Sequence, residues 1–170
     1  MNSFNELLQN RRSVRQYTEQ KIEREKLDLI LQAALMSPSS KRCNPWQFVV
    51  VDDHEVLSKF ASCRTYGSKM LEQASAAVVV VVDASLTDTW QCDGAIAAHN
   101  MLLAAADLGL GACWVQVYNR EGAEQMIRQE LDIPESLNIL CMISLGYKNE
   151  ERKPYDLQKL QYDKIHYERY

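Results

Sequence analysis

The sequence has no apolar run of about 18 residues, the length that a membrane-spanning helix requires. Its amino terminus, MNSFNELLQNRR, has polar residues where a secretory signal needs a continuous apolar segment. The five cysteines are odd in number and include no C-x-x-C pair, which argues against a disulfide framework and a zinc site. We therefore expect a cytoplasmic protein that does not bind a membrane.

Excess positive charge and the common catalytic signatures are also missing. Lys and Arg number 19 against 23 Asp and Glu, a net charge of −4, so no overall basic field would attract nucleic acid. His54, His99 and His166 lack metal-ligand spacing, so no metal site is expected, and His99 is expected to be a buried core histidine of an apolar helix. The chain has no P-loop, G-x-S-x-G, H-E-x-x-H or complete G-x-G-x-x-G motif, so hydrolytic and phosphoryl-transfer mechanisms have no visible machinery.

The remaining pattern predicts a single domain over residues 1–170, because 46% hydrophobic residues in a chain of this length fit one core. Apolar residues at helical spacing and capping signals predict helices that begin near residues 3, 23, 53, 93 and 120. Short β-branched runs predict strands at residues 48–51, 76–82, 113–117 and 138–147. The first two runs are apolar at consecutive positions, so we expect central strands covered on both faces.

The carboxyl-terminal segment, residues 147–170, mixes charged residues with tyrosines and has no core-facing stripe. Its aromatic residues Tyr155, Tyr162, Tyr167 and Tyr170 therefore lack a core of their own. Protein interfaces favour aromatic anchors of this kind. We expect this segment to lie against another surface rather than free in water.

Three arginines fall within five positions in RRSVR, residues 11–15, directly after the first predicted helix. One interpretation is that they are solvated and compensate the negative end of that helix. The other is that their guanidinium forks, with the Ser13 hydroxyl, hold a phosphate dianion. Composition alone leaves both open, although three forks exceed what dipole compensation needs.

The loop SPSSKRCNPWQF, residues 37–48, offers hydroxyls, an amide and an aromatic ring between a helix end and a strand. Ligands often bind at such positions in sheets flanked by helices. Taken alone, the loop is better explained by ordinary turn chemistry with the aromatic ring in the core.

Four segments in order resemble the nitroreductase family of FMN-dependent oxidoreductases: RRSVRQY, A-x-x-SPSS-x-x-x-NPWQFVVV, LGLGACWV and LGYK. The resemblance extends over essentially the whole chain. It implies an α+β fold with a central mostly antiparallel or mixed sheet flanked by helices. It also implies an intertwined homodimer with FMN at the subunit interface and residues 147–170 as an arm that packs on the partner subunit.

The resemblance also assigns residues to parts of the cofactor. Arg11, Arg12 and Ser13 would face the FMN phosphate and ribityl chain, and Arg15 would approach the pyrimidine edge of the flavin. In the tail, Lys153 would meet the phosphate, with Lys159 as the alternative. The remaining positions are Pro38, Ser39, Ser40 and Asn44, contributed by the other subunit, and Trp114, Val115 and Gln116, along the isoalloxazine with a backbone donor near its hydride-accepting nitrogen. The family's loop commonly has Gln before Pro-Trp and Asn two residues earlier, where this chain has Asn44 and Arg42.

The function implied is a ping-pong reaction in which NADH or NADPH reduces the flavin and an acceptor then oxidises it. Nitroaromatics, quinones and related compounds are the acceptors that the resemblance suggests. Because the flavin carries the chemistry, no catalytic acid or base is assigned to the protein. The alternative from another class is a flavin-binding protein that serves storage or redox sensing through a thiol such as Cys113.

Overall fold

The structure is a computed structural model that describes residues 3–170, apart from the Glu121 side chain. Its helices are α1 (Phe4–Asn10), α2 (Arg24–Leu35), α3 (His54–Ala61), α4 (Trp90–Asp107) and α5 (Glu121–Glu130). Its strands are β1 (Trp46–Val51), β2 (Ala76–Val82), β3 (Gly111–Gln116) and β4 (Asn138–Gly146). Within the described part of the chain, no helix combines the length and apolarity needed to cross a membrane.

The four strands form one antiparallel sheet in the order β1-β2-β4-β3, so the predicted α+β class is confirmed. All seven residues of β2 are buried, as expected for a strand covered on both faces. The expectation that β1 is also central is wrong, because among the described residues β1 pairs only with β2, and it exposes Gln47. A run of valines reports how well both faces are covered, and it does not report which strands pair at the two edges.

Helices cover both faces of the sheet. On one face, α2 and α4 contribute Ile30, Ala97 and Met101 to a core that includes Val78 and Val80 of β2. On the other face, α3 and α5 pack Leu57, Phe60 and Ile127 against Val79 and Met142. The alternation of side chains along each strand therefore feeds two separate cores.

The prediction that His99 is a core histidine is wrong, because its side chain is exposed. The helix around it, α4, is apolar nearly all round, but the chain covers only the side that contains Ala98, Met101 and Ala105. His99 lies on the uncovered side, together with Ile96, which is 39% exposed. Apolarity on every side of a helix therefore did not mean burial on every side within this chain.

Two capping signals that were read from the sequence are confirmed. Ser3 and Glu6 form a reciprocal capping box at the start of α1. The Asp53 carboxylate accepts hydrogen bonds from the backbone N–H groups of Glu55 and Val56 at 2.8 and 3.2 Å. These bonds satisfy amide donors that a helix start would otherwise leave without partners.

The carboxyl-terminal segment lies on the surface of the chain. Residues 151–170 are exposed throughout and contain two short 3-10 turns, Leu157–Lys159 and Tyr162–Lys164. Tyr155, Tyr162 and Tyr167 are 44, 59 and 86% exposed. The tyrosines of this segment have no core within the described part of the chain, and the role of the segment as an arm on a second subunit stays a prediction.

Gly94 of α4 packs closely against side chains of the sheet. A Cβ placed on it would lie 2.7 Å from Leu140 Cδ2 and 3.0 Å from Val82 Cγ2. We expect Gly94→Ala to lower the free energy of unfolding by about 1–3 kcal/mol through overpacking. This loss would come even though alanine is favoured over glycine in a helix interior by about 1 kcal/mol. Denaturant unfolding at one fixed protein concentration measures it.

Measuring Gly94→Ala in a second mutant background tests whether overpacking causes the loss of stability. Leu140→Val removes the crowding Cδ2 carbon, so Gly94→Ala should cost less stability in that background. His99→Ala, at an exposed position of the same helix, is the control and should stay within about 0.5 kcal/mol of the parent. An equal cost of Gly94→Ala in both backgrounds would contradict the packing explanation.

Candidate cofactor site

The arginine-rich segment runs alongside the start of β3. Ser13 forms a parallel bridge with Ala112, and the Val14 backbone N–H donates to the Ala112 carbonyl at 3.1 Å. The Val14 side chain is buried so close to Gly111 that a Cβ there would lie 2.6 Å from Val14 Cγ1. Since side chains alternate along an extended segment, burying Val14 turns its neighbours Ser13 and Arg15 away from the core.

A cavity of about 510 Å³ opens beside this segment, between the end of α1, the second half of α4 and the start of the tail. Arg11 and Arg12 line it, with Leu102 and Ala106 of α4 as its apolar wall. Its other charged lining residues are Lys148, Glu150, Glu151 and Arg152. Four cationic side chains therefore face two carboxylates in a protein that is acidic overall.

Two basic residues of the tail, Lys148 and Arg152, line the cavity, and the sequence analysis assigned neither of them. Lys153 instead receives a hydrogen bond from Arg12 Nη1 through its backbone carbonyl, and its side chain is exposed. Lys159 lies 3.6 Å from the carboxylate of Asp156, further along the tail. The sequence shows Arg152 and Lys153 as neighbouring basic residues. Which of the two side chains faces the cavity depends on the path of the backbone.

Tyr155 packs against the same arginines. The Arg12 guanidinium lies 4.6 Å from the centre of the Tyr155 ring, and Arg11 Nη2 donates to the Tyr155 hydroxyl at 3.4 Å. The first arginines thus contact the tail of their own chain. Neither forms an ion pair with a carboxylate of the described residues, so their charge is available to an anion.

Glu150 connects the tail to the arginine segment. Its carboxylate accepts from the Arg15 backbone N–H at 2.6 Å and lies 2.5 Å from Arg152 Nη2. One carboxylate therefore orients two elements of the cavity: the backbone of one arginine and the side chain of another. A charged acceptor makes such hydrogen bonds stronger than neutral pairs.

The buried Tyr17 hydroxyl holds the same segment from the side of the core. It donates to the Val14 carbonyl at 2.8 Å and lies 2.7 Å from the Ser144 hydroxyl. Burial raises the pKa of Tyr17 far above its ordinary value, so the phenol keeps the proton that it donates. The Tyr17 ring rests on Gly146, where a Cβ would come within 2.7 Å of it.

Cys113 lies in this region but has the properties of a structural thiol. Its side chain is 2% exposed. Burial raises the pKa of the Cys113 thiol, and the nearby positive charge of Arg15 offsets only part of this rise. Because the thiolate is the reactive form, a buried thiol with a raised pKa is poorly suited to redox sensing.

The carboxyl end of β3 holds the three strand residues that the sequence analysis selected. Trp114 and Gln116 are half-buried, and Trp114 Nε1 donates to the Gln116 side-chain oxygen at 2.9 Å. The Val115 side chain is fully buried in the opposite core, so this residue can meet a ligand through its backbone only. Arg64, from the loop after α3, donates to the Gln116 backbone carbonyl at 3.3 Å.

The serine-rich loop is a compact turn at the other end of α4. The Ser39 hydroxyl donates to Asn44 Oδ1 at 2.9 Å and accepts from the Asn44 backbone N–H at 3.0 Å. The Ser40 N–H donates at 3.0 Å to Asp93, in the first turn of α4, and Pro38 is exposed. Ordinary turn chemistry accounts for these contacts, as the loop alone had suggested.

A single chain does not bring the two predicted halves of the site together. The serine-rich loop contacts α4 at Asp93, whereas the arginine cavity contacts Leu102 and Ala106. At 1.5 Å rise per residue, these points lie about 14 to 20 Å apart along the helix. Within one chain, the two predicted halves of the site therefore lie at different ends of α4.

Comparisons with known proteins agree with this architecture. The sequence model of the nitroreductase family matches residues 8–92 and 64–147. A protein of Archaeoglobus fulgidus, named as a candidate NADH dehydrogenase/NAD(P)H nitroreductase, is 39% identical over 169 residues, covering 96% of this chain and 97% of the relative. The chain therefore belongs to the nitroreductase family, and the resemblance drawn from its four motifs is confirmed.

The names of two other relatives include a flavin cofactor. An FMN-dependent nitroreductase from Clostridium difficile R20291 superposes with a TM-score of 0.96 at 43% identity, over 98% of this chain and 100% of that one. The NADPH-flavin oxidoreductase of Vibrio harveyi is 30% identical over 170 residues, covering 91% of this chain and 70% of the relative.

Proposed function

We propose that this protein is an FMN-dependent NAD(P)H oxidoreductase that works by a ping-pong mechanism on nitroaromatics, quinones or related acceptors. The observation that carries the proposal is the cavity in which Arg11, Arg12 and Arg152 converge beside the start of β3. The names of the relatives from C. difficile and V. harveyi, which refer to FMN and to NADPH and flavin, support it.

The donor set of this cavity fits a phosphate dianion. Guanidinium groups present planar forks of N–H donors that match phosphate oxygens in pairs. We assign Arg11, Arg12 and Arg152 to the FMN phosphate, with Ser13 and Lys148 beside them. This assignment replaces Lys153 and Lys159 of the sequence analysis with Arg152.

The ring of the cofactor would extend from this cavity along β3 towards Trp114, Val115 and Gln116. Bound FMN supplies the chemistry: it accepts hydride from the nicotinamide and passes electrons to the acceptor. A reduced ring would carry negative charge at its pyrimidine edge. Arg15, whose backbone is fixed by Glu150, is the charge we assign to stabilise that form.

We further propose that the working unit is a homodimer. The loop of Pro38, Ser39, Ser40 and Asn44 lies at the far end of α4 from the arginine cavity, so a second copy would have to supply it. The exposed tyrosines of the tail and the unpaired edge of β1 are surfaces that such a partner would cover.

Flavin storage or redox sensing is the competing function. Sensing through Cys113 is disfavoured because that thiol is buried and its pKa is raised. Storage without turnover differs from reductase activity in whether NADH or NADPH reduces the bound flavin.

The first prediction compares two neighbouring tail residues. Arg152→Gln should raise the dissociation constant of FMN by about 10- to 100-fold, the loss expected for one or two hydrogen bonds to a charged group. Lys153→Gln, the matched control, should change it by less than about threefold because this side chain points into solvent. Quenching of FMN fluorescence measures both constants. The opposite order would return the phosphate contact to Lys153, and a parent protein that keeps no FMN after desalting would refute the function.

The second prediction concerns flavin reduction. The parent protein should bleach on anaerobic addition of NADH or NADPH and recover its colour with a nitroaromatic or quinone. Arg15→Gln should slow the bleaching and lower the flavin midpoint potential by about 20–50 mV, because it removes positive charge near the reduced ring. Arg11→Gln should mainly weaken FMN retention, since charge near the phosphate acts on both redox states alike.

Stopped-flow absorbance and a potentiometric titration measure these two effects. Equal shifts of the potential in both variants would refute the assignment of Arg15. A parent protein that binds FMN but does not bleach with either nucleotide would favour storage over catalysis.

The third prediction tests the dimer. Size-exclusion chromatography with light scattering should give about twice the 19.5 kDa chain mass for the full-length protein. Deleting residues 155–170 should cost both dimer stability and FMN, because it removes aromatic side chains of about 150–250 Å² each that a partner would bury. Deleting residues 161–170 keeps Tyr155 against the arginines and should still weaken the dimer. A truncated protein that stays dimeric and yellow would contradict the interface.

A further inference from the structure

A second, smaller cavity lies at the opposite end of β3 from the phosphate cavity. Its volume is about 360 Å³, and two loops form it: residues 62–68 after α3 and the turn that leads into α5. The described side chains that line it include Cys63, Arg64, Tyr66 and Arg120. Gln116 is five residue steps along the strand from Gly111, so the two cavities lie about 17 Å apart along β3.

The cavity adjoins the strand end directly, because Arg64 Nη1 donates to the Gln116 carbonyl at 3.3 Å. Gln116 is one of the residues we assign to the flavin ring. A group bound beside Arg64 would therefore be adjacent to the reacting end of the cofactor, and not to its phosphate.

Arg64 is held in place before any ligand arrives. The Ser68 hydroxyl, in a side chain that is 0% exposed, lies 3.2 Å from the Arg64 carbonyl and 2.8 Å from the Ala61 carbonyl. The backbone of the loop is thus fixed from the protein interior, while the hydrogen bond to Gln116 fixes the guanidinium from the strand. A preorganised side chain loses less entropy when it binds.

The charged side chains that the structure describes in this cavity are positive. Arg64 and Arg120 are the charged residues among its described lining side chains, and neither makes an ion pair with a carboxylate of the described residues. Arg120 is the residue before α5 and gives that helix no side-chain cap. The positive end of the helix dipole adds to the two guanidinium charges. The Tyr66 ring, 84% exposed, offers a flat face at the rim.

We propose that this cavity binds an anionic group, a phosphate or a carboxylate, of the substrate that reacts at the flavin. The inference rests on the proposed function, because it needs the flavin ring beside Gln116. Both substrates of a ping-pong reaction use the same place in turn. The anion therefore comes either from the dinucleotide or from the acceptor, and Arg64 and Arg120 act as specificity-determining residues for it.

The test measures discrimination between matched substrates that differ in charge. For the acceptor arm the pair is 4-nitrobenzoate and 4-nitrobenzamide, and for the nucleotide arm it is NADPH and NADH. Arg120→Gln and Arg64→Gln should each lower kcat/KM for the more anionic member by about three- to tenfold in at least one arm. The less charged member should change by less than about twofold.

Two further variants separate binding from structure. Arg120→Lys keeps the charge and should retain most of the discrimination, which a purely structural role of the arginine would not predict. Arg24→Gln removes one positive charge from an exposed ion pair on α2 and should leave both ratios unchanged, so it controls for net charge. If Arg64→Gln fails to fold, Arg120→Gln still decides, because Arg120 is exposed.

A direct binding measurement adds a readout that does not depend on turnover. Calorimetric titration of 4-nitrobenzoate and of NADP⁺ into the oxidised FMN-loaded protein should give weaker binding in Arg120→Gln than in the parent for the ligand whose arm was affected. A shift confined to the nucleotide arm identifies the dinucleotide as the source of the anion, and one confined to the acceptor arm identifies the acceptor. Unchanged ratios in both arms, in variants that still bind FMN and bleach, would overturn this inference alone. Failure of the parent protein to bleach would overturn the proposed function and this inference with it.

Discussion

Residues 13–18 are held between two strand ends by backbone hydrogen bonds, and this pairing sets the arginines before the segment against the tail residues that line the same cavity. At one end the Val14 N–H bonds to Ala112, and at the other the Thr18 N–H bonds to the Tyr147 carbonyl at 2.9 Å. The Asn149 N–H closes the same pairing on the Gln16 carbonyl at 2.9 Å. Because the buried Val14 and Tyr17 side chains lock the segment, the arginines before it and the tail residues after Tyr147 are set against each other by the core, and not by their own repelling charges.

Clustered guanidinium groups repel one another, and the fold offsets this cost locally. Glu150 lies among the arginines, pairs with Arg152 and accepts the Arg15 N–H. The Tyr155 ring lies against the Arg12 guanidinium, and the electrons of the ring face attract the positive charge. Both partners leave N–H donors of the arginines free for an incoming anion. Because these partners offset part of the repulsion between the arginines, the cavity can be stable without a ligand. Binding of a dianion in place of solvent can still add favourable interaction energy.

The sequence analysis succeeded where the signal is local. The β-branched runs located all four strands, and the side-chain oxygens of Ser3 and Asp53 located two helix starts, because capping and alternation depend on neighbours in the chain. It failed where the answer depends on distant partners. The edge position of β1 is set by strand order, and the exposure of His99 by which side of α4 the chain covers. The sequence also did not indicate that Arg152 lines the cavity, because that depends on the direction in which the backbone leaves β4; the phosphate contact of Lys153 stays a prediction. Resemblance supplied the cofactor, which neither periodicity nor composition could have named.

The separation of the two half-sites along α4 has a thermodynamic consequence. In the proposed homodimer each FMN contacts the arginine cavity of one subunit and the serine-rich loop of the other. A ligand that binds the dimer and not the separated chains stabilises the dimer by mass action. Linkage is reciprocal, so any contact that tightens the subunits also tightens FMN. In that homodimer, the exposed tyrosines of the tail would therefore act on cofactor affinity through assembly, although they are distant in sequence from the arginines. FMN binding and dimerisation are coupled equilibria. Dilution of the protein should therefore release FMN and separate the subunits over the same range of protein concentration, which depends on both affinities.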